Sequence, residues 1–158
     1  MPRVEVETFV RGPAQAAYAL VKDMEAYPRF MKAVTGLRVL QREGDTCLTE
    51  WSALFQGKLL RWKERDVFDD AHFSMAYRQT EGDLKKFEGE WCCVPQDGGT
   101  RITLSVDFDL GIPMLAGLLD PMAKLVVRRN CEAMLEAIRA QVESAGANRP
   151  ASGGGPWS

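Results

Sequence analysis

The strongest constraint in this sequence is the run from Arg101 to Leu110, where Ile102, Leu104, Val106, Phe108 and Leu110 alternate with Arg101, Thr103, Ser105, Asp107 and Asp109. Successive side chains of a strand point to opposite faces, so a period of two predicts a strand with one apolar and one polar side. A partner precedes it. From Lys86 to Val94, Phe87, Gly89, Trp91 and Cys93 share one face, and Lys86, Glu88, Glu90 and Cys92 share the other. The intervening Pro95-Gln96-Asp97-Gly98-Gly99-Thr100 carries turn residues, which makes the pair an antiparallel hairpin.

The period then changes. Asp120-Pro121 suits a helix N-cap followed by proline at the first helical position, and it predicts a helix from about Pro121 to Val142. The apolar stretch Pro113 to Leu119 either forms a separate helical turn or continues into that helix through a kink at Pro121. Met122, Leu125, Val126, Met134, Leu135, Ile138 and Val142 are its expected buried stripe, opposite Lys124, Arg128, Arg129, Glu132, Glu136 and Arg139.

Upstream, Val4, Val6, Thr8 and Val10 alternate with Arg3, Glu5, Glu7 and Phe9 and predict an opening strand that ends at Gly12-Pro13. Two short helices follow, about Ala14 to Lys22 with Ala17, Tyr18 and Val21 on one stripe, and Met24 to Met31. Between Val34 and Gln79 the breaks Glu43-Gly44-Asp45, Gln56-Gly57 and Asp69-Asp70 divide four strands. Their apolar faces carry Leu37 and Val39; Cys47, Trp51, Ala53 and Phe55; and Phe73, Met75 and Tyr77. The total is seven strands, two short helices after the first, and one long helix at the end.

With 158 residues and 46% apolar content, the chain can bury a core without metals or disulfides. Residues 1–143 are read as one domain and 144–158, with Pro150, Gly153 to Gly155 and Pro156, as a disordered tail. A net charge of −2 provides no basic excess for a nucleic-acid surface. The cluster Lys58, Arg61, Lys63 and Arg65 reads as a solvated or ligand-facing strand. No run reaches the ~18 apolar residues of a membrane span, and the charged N-terminus is unlike a signal peptide, so a cytoplasmic protein is expected. Cys47, Cys92, Cys93 and Cys131 lack metal-site spacing and are expected to be reduced thiols; neither metal nor cofactor is expected. His72, the single histidine, sits beside Asp69-Asp70 as a turn residue.

Two segments carry a resemblance. Ala19-Leu20-Val21-Lys22-Asp23-Met24-Glu25-Ala26-Tyr27-Pro28-Arg29-Phe30 is similar to a V-x-D-h-E-x-Y-P-x-F helix pair, and Glu81 to Trp91 is similar to a strand leading into G-x-W. Both belong to the START-like superfamily (SRPBCC) of helix-grip proteins, in particular its polyketide cyclase/dehydrase and coenzyme Q-binding branch, which the chain resembles from about Val4 to Val142. The resemblance implies an α+β helix-grip fold, with a seven-stranded antiparallel sheet wrapped around the long C-terminal helix and an apolar tunnel between them. It implies binding or transport of a lipophilic small molecule, such as a polyketide, an isoprenoid quinone or another lipid. Transient membrane contact is compatible with this, nucleic acid is not expected, and the oligomeric state is open. A polyketide aromatase/cyclase is the alternative, and a ribosome-association toxin-like protein a second one.

In the cyclase members a pocket arginine guides folding of the poly-β-ketone, and Arg65 matches it by offset. Asn130 and Tyr27 match accompanying positions. A guanidinium can polarise a ketone or stabilise an enolate while remaining charged. Trp62 and Arg65 are three apart, however, and a regular strand cannot turn both inward. If Trp62 faces in, Leu60, Glu64 and Phe68 go with it; if Arg65 does, Arg61 and Lys63 follow; a bulge near Glu64 would reconcile them. The expected ligand-binding residues are Tyr27, Trp51, Phe55, Trp62, Phe73, Met75, Tyr77, Phe87, Trp91, Met122 and Asn130, with Arg65 as catalytic candidate.

Overall fold

The computed structural model describes residues 3–109 and 120–147. Seven strands form one antiparallel sheet in the order β1-β7-β6-β5-β4-β3-β2: β1 (Arg3–Val10), β2 (Val34–Glu43), β3 (Thr46–Phe55), β4 (Lys58–Asp69), β5 (Ser74–Gly82), β6 (Lys86–Gln96) and β7 (Gly99–Asp109). Strands two to seven follow one another as a meander, and β1 returns to close against β7. The helices are α1 (Ala14–Lys22), α2 (Tyr27–Phe30) and α3 (Asp120–Ala147), with single 3-10 turns at Met24–Ala26 and Asp70–His72. This is the helix-grip arrangement expected from the alternating strands and the terminal helix.

Local chemistry explains the joints. The β6–β7 hairpin turns on Asp97 and Gly98, with φ of 50° and 79°, and the β3–β4 hairpin on Gln56 and Gly57, with φ of 53° and 79°. Two consecutive left-handed residues match the twist of the flanking strands, and Asn, Asp, Gln or Gly tolerate them better than branched residues. The edge strand β2 is partly covered, since the Glu25 carboxylate accepts the Val39 N–H at 2.9 Å. Gly89 has a different role. A Cβ there would lie 1.8 Å from the Ser105 carbonyl oxygen and 2.8 Å from the Tyr77 hydroxyl, which itself donates to Ser105 O at 2.8 Å. Glycine lets the Tyr77 side chain cross to β7.

The long helix lies over β1, β7 and β3 and against α1. It buries Val127, Cys131, Leu135, Ile138 and Val142, and half-buries Val126 and Met134. Part of the expected stripe is therefore corrected. Met122 and Leu125 are 47% and 45% exposed. At about 100° per residue, the seam through Val127 places both on the far side of the helix, roughly 140° and 160° away. The helix also continues past Val142 to Ala147, into part of the expected tail; the rest of that tail, and the Pro113 to Leu119 stretch, lie outside the described residues.

Candidate functional site

The inward face of β4 is Leu60, Trp62, Glu64, Asp66 and Phe68, all buried, while Leu59, Arg61, Arg65 and Val67 are exposed. Period two is thus unbroken along β4. The irregularity anticipated near Glu64 is real but sits on the neighbouring strand: pairing steps from Lys63–Glu81 to Glu64–Gln79, so Thr80 of β5 is the additional residue. Because the bulge belongs to β5, it does not rotate β4. Arg65 points to solvent on the outer face, which corrects its assignment as a cavity arginine.

Inside, Trp51 and Trp62 are directly paired across β3 and β4, and their rings stack at 5.5 Å and 14°. Phe87 packs on Trp62 at 5.3 Å and on Tyr77 at 5.8 Å, and Phe55 meets the Trp62 and Phe87 rings at 6.2 Å each. These rings, with Val34, Ala53, Trp91 and Leu104 from the sheet and Val127, Asn130, Cys131 and Met134 from α3, enclose a cavity of about 50 Å³. Larger depressions of about 540 and 390 Å³ lie on the open outer face of the sheet among charged residues such as Arg38, Glu50, Arg61 and Lys63. Several of these are engaged with each other, Arg38 with Glu50 at 2.9 Å and Lys63 with Glu81 at 3.7 Å. The inner cavity is the better candidate, because it is the most enclosed of the three and its walls are mostly apolar.

Of the expected ligand-binding residues, Trp51, Phe55, Trp62, Tyr77, Phe87, Trp91 and Asn130 are brought together in this lining. Tyr27 is fully buried behind it, edge-on to Trp51 at 5.8 Å, with its hydroxyl donated to Val21 O at 2.5 Å. Phe73 is a left-handed residue at the start of β5 that packs against Tyr18 at 5.7 Å, and Met75 is buried in the core without lining the cavity. Met122 is exposed. Asn130 is half-buried and donates its amide to Leu54 O at 2.9 Å, which ties α3 to the end of β3.

The polar content of the cavity wall comes from β4. Glu64 Oε1 accepts the Trp62 indole N–H at 2.8 Å. Asp66 Oδ2 accepts the Thr49 hydroxyl at 2.7 Å and the Cys47 thiol at 3.8 Å, and Thr49 Oγ1 in turn accepts the Trp51 indole N–H at 2.9 Å. Each of the two stacked indoles is thereby anchored to this acidic pair. Glu64 is 2% and Asp66 0% exposed, and among the described residues no ion pair reaches either.

Two adjacent carboxyls without a cation cannot both ionise in a dry site. Burial first, and then the neighbouring Asp66, hold the Glu64 carboxyl well above the usual carboxylate range. Burial raises Asp66 too, opposed by the hydrogen bonds it accepts from Glu64, Thr49 and Cys47. Both shifts favour the protonated forms, and for Glu64 the neighbouring acid adds to burial. Asp66 Oδ1 is buried and has no hydrogen-bond partner. Sequence reasoning placed Glu64 inward only conditionally and passed over Asp66 and Thr49. The available signal was two acids on the same strand face as Leu60, Trp62 and Phe68.

Elsewhere the chemistry is structural. The four cysteines are free, and burial pushes the Cys93 and Cys131 thiols up to about 12; burial and then Asp66 do the same for Cys47. His72 Nδ1 lies 2.9 Å from Asp69 Oδ2 in an exposed turn. Among the described residues no group of His, Cys, Asp and Glu could hold a metal ion, and no described helix is long and apolar enough to cross a membrane.

Known proteins share this arrangement. A family described as polyketide cyclase/dehydrase and lipid transport matches residues 10–135. The granaticin polyketide synthase bifunctional cyclase/dehydratase of Streptomyces violaceoruber is 32% identical over 105 residues, covering 65% of this chain and 32% of that protein. Major latex protein 149 of Papaver somniferum is 30% identical over 104 residues, covering 61% of this chain and 65% of that protein. The matches thus span about a third and just under two thirds of these curated relatives. Among solved structures, TTHA0849 from Thermus thermophilus superposes with a TM-score of 0.85 at 33% identity, covering 91% of this chain and 99% of that one. The Zhui aromatase/cyclase from Streptomyces sp. R1128 shares the fold at a TM-score of 0.83 and 24% identity, covering 98% of each chain. With the match extending from the end of β1 into α3, the chain belongs to the polyketide cyclase/dehydrase and lipid transport family.

Proposed function

We propose that this chain binds a lipophilic small molecule, such as a polyketide, an isoprenoid quinone or another lipid, in the cavity between the sheet and α3. The observation that carries this reading is the enclosed aromatic lining, interrupted by one acidic side chain, at the place where the helix crosses the sheet. Apolar area transferred there from water gains roughly 25 cal/mol per Å². At about 50 Å³ the cavity is far smaller than the ~300 to 1,000 Å³ of a site holding a drug-sized ligand, so binding widens it. The half-buried Phe87, Asn130 and Met134 are the lining side chains with room to move. Four free thiols suit a reducing compartment, which supports a cytoplasmic location.

Native mass spectrometry of freshly purified protein tests the proposal. A retained lipophile, or uptake from a mixture of quinones and aromatic polyketides, is the expected result; a bare mass under both conditions counts against it. Polyketide cyclisation is the second reading, favoured by a carboxylic acid in the cavity wall. Under that reading Glu64, rather than Arg65, is the group able to address a reacting oxygen. Incubation with a poly-β-ketone substrate should then change the product distribution relative to a protein-free control.

A further inference from the structure

We infer that the Glu64–Asp66 pair is the recognition element of the cavity, and that it selects neutral, hydroxyl-bearing aromatic or enolic ligands over both anionic lipids and ligands without an O–H group. This rests on the reading that the cavity binds a lipophile.

The geometry sets out which hydrogen bonds are already spent. Tyr77 donates to Ser105 O at 2.8 Å, Tyr27 to Val21 O at 2.5 Å, and Asn130 to Leu54 O at 2.9 Å. The Trp51 and Trp62 indoles donate to Thr49 and Glu64. The ring hydroxyls and indoles of this set have no donor left, and Asn130, half-buried at the α3 side of the lining, keeps its second amide N–H. Glu64 differs, because it lines the cavity and its Oε1 accepts a single indole N–H while a carboxyl oxygen has two lone pairs. Glu64 therefore offers an acceptor site directly beside the stacked indoles.

Both carboxyls are buried, and among the described residues no cation pairs with either. A phenolic or enolic O–H supplies a donor for the open Glu64 lone pair. An anion placed beside two buried acids finds no countercharge to offset its loss of water and is excluded. The stacked indoles next to Glu64 suit a flat ring. Shape and polarity therefore converge on the same chemical class.

Three probes of one ring system test this by isothermal titration calorimetry at neutral pH: 2-naphthol, 2-methoxynaphthalene and 2-naphthoate. One hydrogen bond to a neutral carboxyl oxygen predicts that 2-naphthol binds up to roughly tenfold more tightly than its methyl ether, with no detectable 2-naphthoate binding. Glu64→Leu should abolish the naphthol preference while still taking up the ether. Glu64→Gln, which keeps the Oε1 acceptor, should retain the preference. Asp66→Asn, which leaves Glu64 as the single acid of the pair, should admit 2-naphthoate. Should Glu64→Leu fail to fold, the contrast among the probes in wild type, Glu64→Gln and Asp66→Asn decides the matter. Equal binding of naphthol and ether by the wild type, or a preference that survives Glu64→Leu, overturns the inference while the binding reading stands. Failure of all three probes, together with a bare mass in the native spectrum, removes both.

Discussion

Replacing Glu64 with glutamine should make the protein more stable at neutral pH and less dependent on pH. In the native state burial, and then Asp66, hold the Glu64 carboxyl well above the range of the unfolded chain, where a glutamate titrates near about pH 4.3. A folded value raised above the unfolded one contributes stability that is complete below about pH 4.3 and is lost as pH rises towards the folded value. Stability therefore falls across that window, at up to about 1.4 kcal/mol per pH unit for one retained proton. Glutamine preserves the contacts, because its carbonyl can accept from Trp62 and its amide can donate to Asp66, yet it has no proton to lose. Exposed Asp70 behaves in the opposite way, since hydrogen bonds from Lys22 and then Tyr18 lower it, and its contribution is lost as pH falls. That term is common to both proteins and cancels in the difference. Urea unfolding from pH 4.5 to 8 should show the variant's advantage growing with pH at unchanged m-value. Parallel stability profiles for variant and wild type would refute the raised titration of Glu64.

The remaining predictions concern placement. Arg65→Lys should change stability by less than about 0.5 kcal/mol and leave ligand affinity unaltered, because the side chain lies on the outer face; a large loss of binding would place it in the site after all. Gly89→Ala should lower stability by about 1–3 kcal/mol or more in thermal melts, since its methyl would meet Ser105 O and the Tyr77 hydroxyl; an unchanged Tm would contradict the close crossing of Tyr77. Cys47, Cys93 and Cys131 should resist a thiol-specific disulfide reagent until the chain unfolds, as their burial and thiols near pKa 12 require; rapid labelling of the native protein, located by peptide mass mapping, would show these sites to be open.

Much of the architecture could be read from periodicity because the sheet faces solvent on one side and α3 on the other. Val4, Val6 and Val10 then alternate with more exposed neighbours, and Ile102, Leu104, Val106 and Phe108 alternate with half-buried Arg101, Thr103 and Asp107, with Ser105 also buried. The helix was harder. Met122 and Leu125 look like core residues by composition, and only the angular position of Val127 and Cys131 shows that the seam runs elsewhere. Phe73 continued an apparent strand pattern with Met75 and Tyr77, but its left-handed backbone places it in the bend ahead of β5.

The site was legible in its aromatics and obscure in its polarity. Trp51, Phe55, Trp62 and Trp91 belong to apolar faces that the strand period brings together. Arg65 entered by an offset that could not specify which way the strand faces, and the bulge that would have turned it inward belongs to β5. Glu64 and Asp66 stand in phase with Leu60, Trp62 and Phe68. Acids on an apolar strand face cost too much to be incidental, and they were the signal for the site.

The central claim is that a lipophile sits against the stacked indoles beside Glu64. The indole N–H resonances of the four tryptophans in a 15N-correlated NMR spectrum, assigned by single substitution and followed during titration with 2-naphthol, test this most directly. Saturable shifts of the Trp51 and Trp62 signals, whose donors are held by Thr49 and Glu64, are the predicted result. Shifts confined to outer-face residues such as Arg38, Arg61 and Lys63, with both indole signals unmoved, would contradict it.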